Sequence, residues 1–363
     1  MILQEENISF EISKKVFYNP NMRFCRSIFS LGVGAINRDL VVCDAFAASG
    51  IRGIRYAKEN SNVKRVIFVD LEKEAIKCIK KNVKISKIKN TKIMQGNISR
   101  LVFDIVADFA EVDPFGTPAP YLYDVFRMFN PLKEAYLSVT ATDTAVLCGG
   151  KVKAAMKNYH SKPLNNEFTH ENGTRILLKK ITEVAAEFNF GCIPILSLSD
   201  RHYLKVLLYL KRGADAADRS LKQLGFVIFC PKCGYRSTAL FPERICPLCH
   251  SSLDYAGPLW LGAIADKKFV KKMIKLNSKR DYADKKEIEK TLDIIYEEAE
   301  MPPYFYDIHA IAKRTRKSFI PKMDDMLNAL RREGYDTTRT HFCPTGIKTK
   351  ASYKDVISII SKL

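Results

Sequence analysis

An alternation of apolar strands with helices constrains the fold of this chain more than any other feature. Residues 40–46 are typical of a buried strand, and a turn of small residues at 47–50 leads into a helical stretch at 51–60. A second strand at 65–69 precedes an amphipathic helix at about 72–83. Two strands joined by a helix in this way form a βαβ unit, so we predict a parallel α/β sheet.

The pattern continues with predicted strands near 92–95, 109–112 and 136–140. The segments 193–198 and 203–210 are then two adjacent apolar strands with a short polar link, which indicates an antiparallel hairpin. A mostly parallel, seven-stranded sheet closed by such a hairpin favours the Rossmann-like fold of class I methyltransferases over that of dehydrogenases.

The length and the composition predict a second domain. A chain of 363 residues exceeds what one compact core usually absorbs. Beyond residue 213 the composition changes to a segment rich in Cys and Pro, and then to a Lys-rich helical region. We therefore predict a sheet domain at 1–212 and a smaller, basic α+β domain at 213–363, which carries a zinc ribbon at 226–252.

The chain carries a large positive charge. It has 59 Lys and Arg against 40 Asp and Glu, a formal net charge of +19. Such an excess favours a polyanionic partner, for which nucleic acid is the first candidate, although a Lys-rich composition alone would also produce it. A run of about eighteen apolar residues and a signal segment are both absent from the sequence. We expect a cytoplasmic protein with no membrane partner.

Two Cys-x-x-Cys pairs, Cys230 with Cys233 and Cys246 with Cys249, predict a zinc site. Two thiolate pairs on tight turns can complete a tetrahedral sulfur site. Because four protein ligands leave no open position, the predicted role of the zinc ion is structural. The remaining cysteines are scattered, and we interpret them as small buried hydrophobes.

The turn after the first strand predicts a ligand without phosphates. Only Gly50 and Gly53 are glycine there, fewer than in the fingerprint of dinucleotide-binding enzymes. We predict Gly50 as a cofactor-binding residue, because small residues let the backbone approach the ligand closely. Asp70 ends the second strand, where a carboxylate can bind ribose hydroxyls or can cap the following helix. Asn97 and Ile98 follow the third strand and could contact an adenine, although Gly-Asn is also an ordinary turn.

The fourth strand runs into Asp113-Pro114-Phe115-Gly116, which is similar to the motif of methyltransferases that act on exocyclic amines. The Asp113 carboxylate and the Pro114 carbonyl can both accept amine protons and orient the nitrogen lone pair, while Phe115 can stack on the base. The alternative is an ordinary Pro-Gly loop after a strand. Glu111 projects to the same side of the strand as Asp113. It is either a second acid at the site or only a surface charge.

Several blocks together resemble the tRNA guanine-26 N2-dimethyltransferase family over nearly the whole chain. The resemblance implies transfer of one or two methyl groups from S-adenosylmethionine to the exocyclic N2 of guanine 26 in tRNA, and it implies no protein partner. The blocks are Tyr18-Asn19-Pro20, Ala48 to Arg55, Asp113 to Gly116, Thr140 to Asp143, Gly173 to Leu177, and Thr340 to Thr349.

The resemblance also implies roles for single residues. Arg26 and Arg52 would contact the methionine end of the cofactor, Asp70 its ribose, and Asn97 with Ile98 its adenine, while Asp113 would be catalytic. Family members often have Asp where this chain has Asn97, which keeps an acceptor but loses the charge.

The C-terminal region is the predicted tRNA-binding surface, because Lys and Arg neutralise RNA phosphates. Basic residues accumulate over 267–290 and again at Lys313, Arg314, Arg316 and Lys317. The predicted RNA contacts lie in the last of the blocks above and at its flanks: Arg339, His341, Lys348 and Lys350.

The residues alone leave two other functions possible. One is an amino-methyltransferase for a different RNA or DNA base. The other is a non-catalytic RNA-binding protein with a zinc ribbon, which would leave the strand-end motif at Asp113 without a role.

Overall fold

A seven-stranded sheet forms the centre of the molecule, and an N-terminal hairpin, β1 (Ile2–Glu5) and β2 (Ile8–Glu11), precedes it. The computed structural model describes residues 1–314 and 320–363, so the predicted basic residues Arg316 and Lys317 lie outside the described part. In chain order the sheet strands are β3 (Leu40–Asp44), β4 (Val63–Asp70), β5 (Thr91–Gln95), β6 (Phe109–Val112), β7 (Glu134–Ala141), β8 (Phe190–Asp200) and β9 (Tyr203–Arg212).

The strand order is β5-β4-β3-β6-β7-β9-β8, and the first five strands in that order are parallel. β9 pairs antiparallel with both β7 and β8. The predicted class I methyltransferase sheet, including its closing hairpin, is therefore confirmed. The order reverses between β3 and β6, and in open α/β sheets a ligand binds at the carboxyl ends of the strands at this switch point.

Helices cover both faces of the sheet, because each has an apolar stripe that needs a partner. The helices of this region are α1 (Arg23–Ala35), α2 (Ile51–Glu59), α3 (Lys73–Ile85), α4 (Ile98–Leu101), α5 (Ala119–Arg127), α6 (Thr144–Leu147), α7 (Val152–Tyr159) and α8 (Thr169–Glu187), with two 3-10 turns at Pro20–Met22 and Val102–Asp104. Apolar residues of α1, α2 and α3 pack on one face, and those of α5 and α8 pack on the other.

The remainder of the chain forms two small three-stranded sheets and further helices. Their bounds are α9 (Ala214–Leu221), β10 (Leu224–Phe229), β11 (Arg236–Ala239), β12 (Asp254–Trp260), α10 (Lys267–Asn277), α11 (Lys285–Glu298), β13 (Tyr306–Asp307), α12 (Ile308–Arg314), α13 (Met323–Arg332), β14 (Thr337–Thr340), β15 (Cys343–Thr349) and α14 (Tyr353–Ser361). The strands pair in the orders β11-β10-β12 and β13-β15-β14.

The helices α10 and α11 share a hydrophobic core with α1 and with one face of the large sheet. Val270 and Met273 of α10 and Leu292 of α11 are fully buried there. By contrast, the β13-β15-β14 sheet and α12–α14 have a small core of their own. The division of the chain at residue 213 stays a prediction, and the packing shows that α10 and α11 are tied to the large sheet.

No helix in the described part of the chain is long and apolar enough to cross a membrane. The cytoplasmic location stays a prediction.

A buried ionic cluster joins the C-terminal sheet to α8 and α11. Lys348 is fully buried, and its Nζ lies 2.5 Å from Glu171 of α8 and 3.8 Å from Glu298 of α11. His341 bonds to Glu298 through Nδ1, and its Nε2 accepts a hydrogen bond from the Ser199 backbone N–H at 3.2 Å. The prediction that His341 and Lys348 contact RNA is therefore wrong, because buried side chains that are already paired with carboxylates cannot reach a phosphate.

The cluster yields a stability prediction. Replacing Lys348 by Met leaves Glu171 and Glu298 with one cation fewer in the interior, which should lower the free energy of unfolding by about 3–5 kcal/mol. The matched control is Lys350→Met, which breaks only an exposed pair with Asp336 at 2.8 Å and should change stability little. Urea unfolding of both variants measures the difference, and equal midpoints would contradict the account of the cluster.

Candidate active site

A cavity of about 420 Å³ lies at the carboxyl ends of the parallel strands, at the switch point between β3 and β6. This volume is typical of a small-molecule site. Five of the predicted cofactor residues line it: Arg26, Arg52, Asp70, Asn97 and Ile98. The sequence therefore identified the correct edge of the sheet, and their contacts with a cofactor stay predictions.

The turn after β3 depends on two glycines. Gly50 has φ of 78°, in the left-handed region that glycine adopts without strain, and it does not line the cavity. A Cβ at Gly53 would lie 2.5 Å from the Phe68 ring and 3.1 Å from Asp44 Oδ2. Gly53 instead donates its N–H to Asp44 at 3.0 Å, so α2 can begin close to the sheet.

Asp70 and Asn97 hold the backbone around the cavity. Asp70 accepts hydrogen bonds from the Ala48 N–H at 2.7 Å and the Glu72 N–H at 2.9 Å. It is not the N-cap of α3, which is Glu72. Asn97 caps α4 by accepting the Ser99 N–H at 2.9 Å. Carboxylate and amide oxygens can each accept a further hydrogen bond, so both side chains keep capacity for a ligand.

Arg26 supports the cavity wall from the N-terminal side. Its guanidinium forms a bidentate pair with the buried Glu5 of β1, with Nε 2.7 Å from Oε1. The Tyr18 hydroxyl donates to the same carboxylate at 2.9 Å. These bonds fasten the segment before α1, so that Tyr18 and Asn19 also line the cavity.

Arg52 and Asp113 form an ion pair at the centre of the site. The Arg52 Nη2 group donates to Asp113 Oδ2, and its Nε lies 3.7 Å from Glu111 Oε1. Arg52 is only 7% exposed, and its buried Nη1 has no hydrogen-bond partner among the residues that the structure describes. The guanidinium therefore retains a donor for an anionic group of a ligand.

A second buried pair lies behind the first. Glu111 is fully buried, so its interpretation as a surface charge was wrong, and it does not line the cavity. Its carboxylate accepts hydrogen bonds from the Tyr56 hydroxyl at 2.8 Å and from Lys205 Nζ. The Lys205 ammonium also lies 2.7 Å from the Thr140 hydroxyl. Each charge in this layer is thus compensated, as burial requires.

The pKa values of two carboxyls at the site are shifted in opposite directions. Burial opposes ionisation of Asp113, but the positive charges of Arg52 and Lys205 outweigh it and lower the pKa of this carboxyl. Burial raises the pKa of Asp44 to about 7, and the Glu111 carboxylate adds to that shift. Asp113 is therefore a carboxylate at neutral pH, whereas Asp44 lies near its midpoint.

The Asp113 loop presents an aromatic ring at the mouth of the cavity. Gly116 donates its N–H to the Thr142 hydroxyl at 2.8 Å and accepts the Thr142 N–H at 3.0 Å, which ties the loop to the end of β7. Phe115 is 79% exposed and meets Phe17, 55% exposed, edge to face with ring centroids 4.9 Å apart. Exposed rings of this kind can stack on a flat ligand.

The four clustered cysteines could hold a metal ion. Their sulfur atoms all lie within 4.8 Å of one another, with 3.5 Å between Cys230 and Cys249 and 3.6 Å between Cys233 and Cys246. A tetrahedral zinc site with Zn–S bonds of about 2.3 Å has sulfur atoms about 3.8 Å apart, so the spacing fits. The cluster lies on the β11-β10-β12 sheet, apart from the cavity.

Comparison with known proteins identifies the family. The family model of N2,N2-dimethylguanosine tRNA methyltransferases matches residues 1–361. The chain belongs to this family. A tRNA (guanine(26)-N(2))-dimethyltransferase of Methanobrevibacter smithii is 35% identical over 362 residues, 96% of this chain and 92% of that protein. A tRNA (guanine(26)-N(2)/guanine(27)-N(2))-dimethyltransferase of Aquifex aeolicus is 33% identical over 362 residues, 96% and 90% respectively.

A solved structure supports the same assignment. The complex of Trm1 from Pyrococcus horikoshii with S-adenosyl-L-methionine matches with a TM-score of 0.91 at 35% identity, and the match covers 99% of both chains. The resemblance read from the sequence to the N2,N2-dimethylguanosine tRNA methyltransferase family is therefore confirmed.

Two lining residues of this family member were missed in the sequence. Asp44 ends the first strand, and its position at the carboxyl end of β3 was the available signal. Phe17 directly precedes the Tyr18-Asn19-Pro20 block, but an isolated aromatic residue there is equally typical of a core position. Only the folded chain shows that Phe17 is exposed beside Phe115.

The remaining predicted RNA contacts lie on the surface of the dimethyltransferase. Arg339 pairs with Asp324 at 2.8 Å, and Lys350 pairs with Asp336 at 2.8 Å. Both side chains are exposed, so their contact with RNA stays a prediction.

The Arg52–Asp113 pair predicts a measurable titration. In an Arg52→Met variant without ligand, the pKa of Asp113 should rise, because burial is then opposed only by the Lys205 charge and the Thr140 hydrogen bond. Lys58→Met on the exposed side of α2 is the control and should leave that pKa unchanged. Carboxyl ¹³C NMR on protein labelled at aspartate, read against an Asp113→Asn assignment variant, gives both values. An unchanged pKa after loss of Arg52 would contradict the electrostatic role of the pair.

Proposed function

We propose that the chain transfers methyl groups from S-adenosylmethionine to the exocyclic N2 of guanine 26 in tRNA, with Asp113 as the catalytic group. The full-length family match and the names of the relatives support the reaction. The observation that carries the assignment of the site is the contact of the Asp113 carboxylate with Arg52 at the switch point, beside the exposed Phe115 ring.

The lining of the cavity fits S-adenosylmethionine by its chemistry. The unpartnered Nη1 of Arg52 suits the methionine carboxylate. Asp44 would become fully ionised beside the ammonium group, which offsets the cost of its burial. Asp70 would accept from the ribose hydroxyls, while Asn97 and Ile98 border the adenine. When bound, the cofactor supplies an electrophilic methyl group on a sulfonium.

The reaction needs an oriented nucleophile, since the lone pair of the guanine amine is delocalised into the ring. The Asp113 carboxylate and the Pro114 carbonyl accept the two N–H groups and direct the lone pair at the methyl carbon. Positive charge would develop on the nitrogen as the bond from nitrogen to the methyl carbon forms and the bond from that carbon to sulfur breaks, with the neutral thioether as the leaving group. An ionised Asp113 stabilises that charge and accepts the proton that the methylated amine releases.

Phe115 and Phe17 would hold the plane of the target base. A guanine inside folded tRNA must leave its stack to reach a cavity, as other base-modifying enzymes require. Aromatic side chains stack on unpaired bases, which repays part of the cost of unstacking. The exposed pair at the mouth is the aromatic surface that a base meets on entry.

We also assign a structural zinc ion to Cys230, Cys233, Cys246 and Cys249. The fit of the sulfur spacing supports zinc, and four thiolates leave no position for a reacting ligand. The cluster fixes the loop between β11 and β12 and contacts α14, where the Tyr353 hydroxyl donates to the Cys233 carbonyl. Its contribution is therefore to stability of the C-terminal part rather than to methyl transfer.

Replacement of Asp113 by Asn tests the proposed mechanism. Asparagine keeps the shape but loses the charge and the proton-accepting capacity, so the methylation rate on tRNA should fall by at least about 100-fold. Binding of S-adenosylmethionine by calorimetry should persist, since Arg52 remains. Asp39→Asn, at the opposite edge of the sheet, is the control and should retain full activity. Undiminished turnover by Asp113→Asn would exclude Asp113 as the catalytic group.

Metal analysis tests the zinc assignment. The purified protein should contain about one zinc per chain, and Cys246→Ser should lose the metal and unfold at a lower temperature. Cys148→Ser, which removes a thiol outside the cluster, should keep the zinc content. A metal-free wild-type protein of unchanged thermal stability would refute a structural zinc site.

A further inference from the structure

Exposed basic side chains occur on three separate segments that are adjacent to the cavity wall or to the strand ends that form it. We name them the basic rim: Lys14, Lys15, Lys151, Lys153, Lys157 and Arg201. None of them forms an ion pair with any residue in the described ranges 1–314 and 320–363. The Lys15 charge does help to lower the pKa of Glu74, so the rim is positive charge that no ion pair at contact distance neutralises within the described ranges.

The first segment leads directly into the cavity wall. Lys14 and Lys15 are both exposed, and they are followed by Phe17, Tyr18 and Asn19, which line the cavity. Two charges therefore lie on the surface within three residues of the aromatic ring at the mouth.

The second segment is α7, which is anchored beside the catalytic loop. The hydroxyl of Tyr159 lies 2.8 Å from the Thr117 hydroxyl and donates to Asp143 at 2.9 Å. Ala155 and Tyr159 form the buried side of the helix. Lys153 and Lys157 are exposed on the other side, and Lys151 is exposed immediately before the helix.

The third segment is the tip of the β8–β9 hairpin. Because β8 is parallel to β7, its carboxyl end lies at the same edge of the sheet as Asp113. Leu204 pairs with Ala141, the last residue of β7, so the turn that holds the exposed Arg201 lies just beyond the carboxyl end of β7. The imidazole of His341 supports this turn by accepting the Ser199 N–H.

At the opposite edge of the sheet, some of the basic side chains form ion pairs. There Arg38 pairs with Asp108, and Lys64 lies 3.4 Å from Asp39. Exposed lysines without an ion pair among the described residues also occur there, Lys84, Lys89 and Lys133 among them, so the rim is distinguished by its position beside the cavity rather than by its charge alone. Self-repulsion within such a cluster is relieved when a polyanion binds across it.

We propose that the basic rim binds the phosphates that flank the target nucleotide of the tRNA. This inference rests on the proposed function and deepens it. A base that enters the cavity draws its backbone onto the mouth on both sides, and the three segments supply cations on different sides of that opening. Lys and Arg bind phosphates without reading sequence, so the rim contributes affinity and register while the cavity selects the base.

The test compares two triple variants with equal changes in net charge. Lys151→Glu/Lys153→Glu/Lys157→Glu reverses the α7 part of the rim. Lys84→Glu/Lys89→Glu/Lys133→Glu reverses three exposed lysines near the amino ends of β5 and β7, away from the cavity. Binding of an unmodified tRNA transcript is measured by filter retention at several salt concentrations, with S-adenosylmethionine calorimetry and circular dichroism melts as checks on folding.

The rim variant should bind tRNA roughly tenfold or more weakly near 0.1 M salt, and its salt slope should fall by about 1 for each phosphate that the altered helix no longer neutralises. Its cofactor affinity should equal that of the wild type. If the two variants weaken tRNA binding equally while the wild-type protein still methylates tRNA, the proposed role of the basic rim is contradicted and the proposed function is not. Absence of tRNA binding and methylation by the wild type would overturn both.

Discussion

The ion pair between Arg52 and Asp113 is the interaction on which the site depends. It brings together the helix after the first sheet strand and the loop after the fourth, and it does so where the strand order reverses. Glu111 and Lys205 compensate each other behind it, so that three buried charges and the half-buried Asp113 carboxylate can share one small region. Because the positive charges outweigh the burial of Asp113, the carboxylate stays ionised in a poorly hydrated position. A carboxylate in that state can both orient an amine and accept its proton.

The rest of the chain keeps that pair in position and brings substrate to it. The segment before α1 is fastened through Glu5, Arg26 and Tyr18, which brings Phe17 to the mouth of the cavity. The C-terminal elements are linked to the large sheet by the core shared with α1 and by the cluster around Lys348. Charged side chains thus have two distinct roles. Inside the protein, paired charges fix the positions of the site residues, and on the basic rim, unpaired charges remain available to bind RNA.

The sequence predicted most of the fold, because hydrophobic periodicity and strand-end motifs are local signals. The β3–α2–β4 unit, the β8–β9 hairpin and the cysteine cluster all follow from patterns of a few residues. Burial of a charged side chain is a tertiary property, and for that reason Lys348 and His341 looked like surface groups. Phe17 was missed because only the folded chain brings its exposed ring beside Phe115, whereas Asp44 had a local signal in its place at the end of the first strand. The lysines of the rim are indistinguishable in sequence from the other exposed lysines of this basic chain.

The central claim is that this site methylates one amine of one nucleotide. The most direct measurement is mass spectrometry of nuclease fragments from a tRNA transcript incubated with the protein and S-adenosylmethionine carrying a labelled methyl group. The account predicts labelled N2-methylated guanosine, mono- or dimethylated, in the fragment that contains position 26, and none in a transcript with adenosine there. Label at another position, or on an atom other than N2, would contradict it.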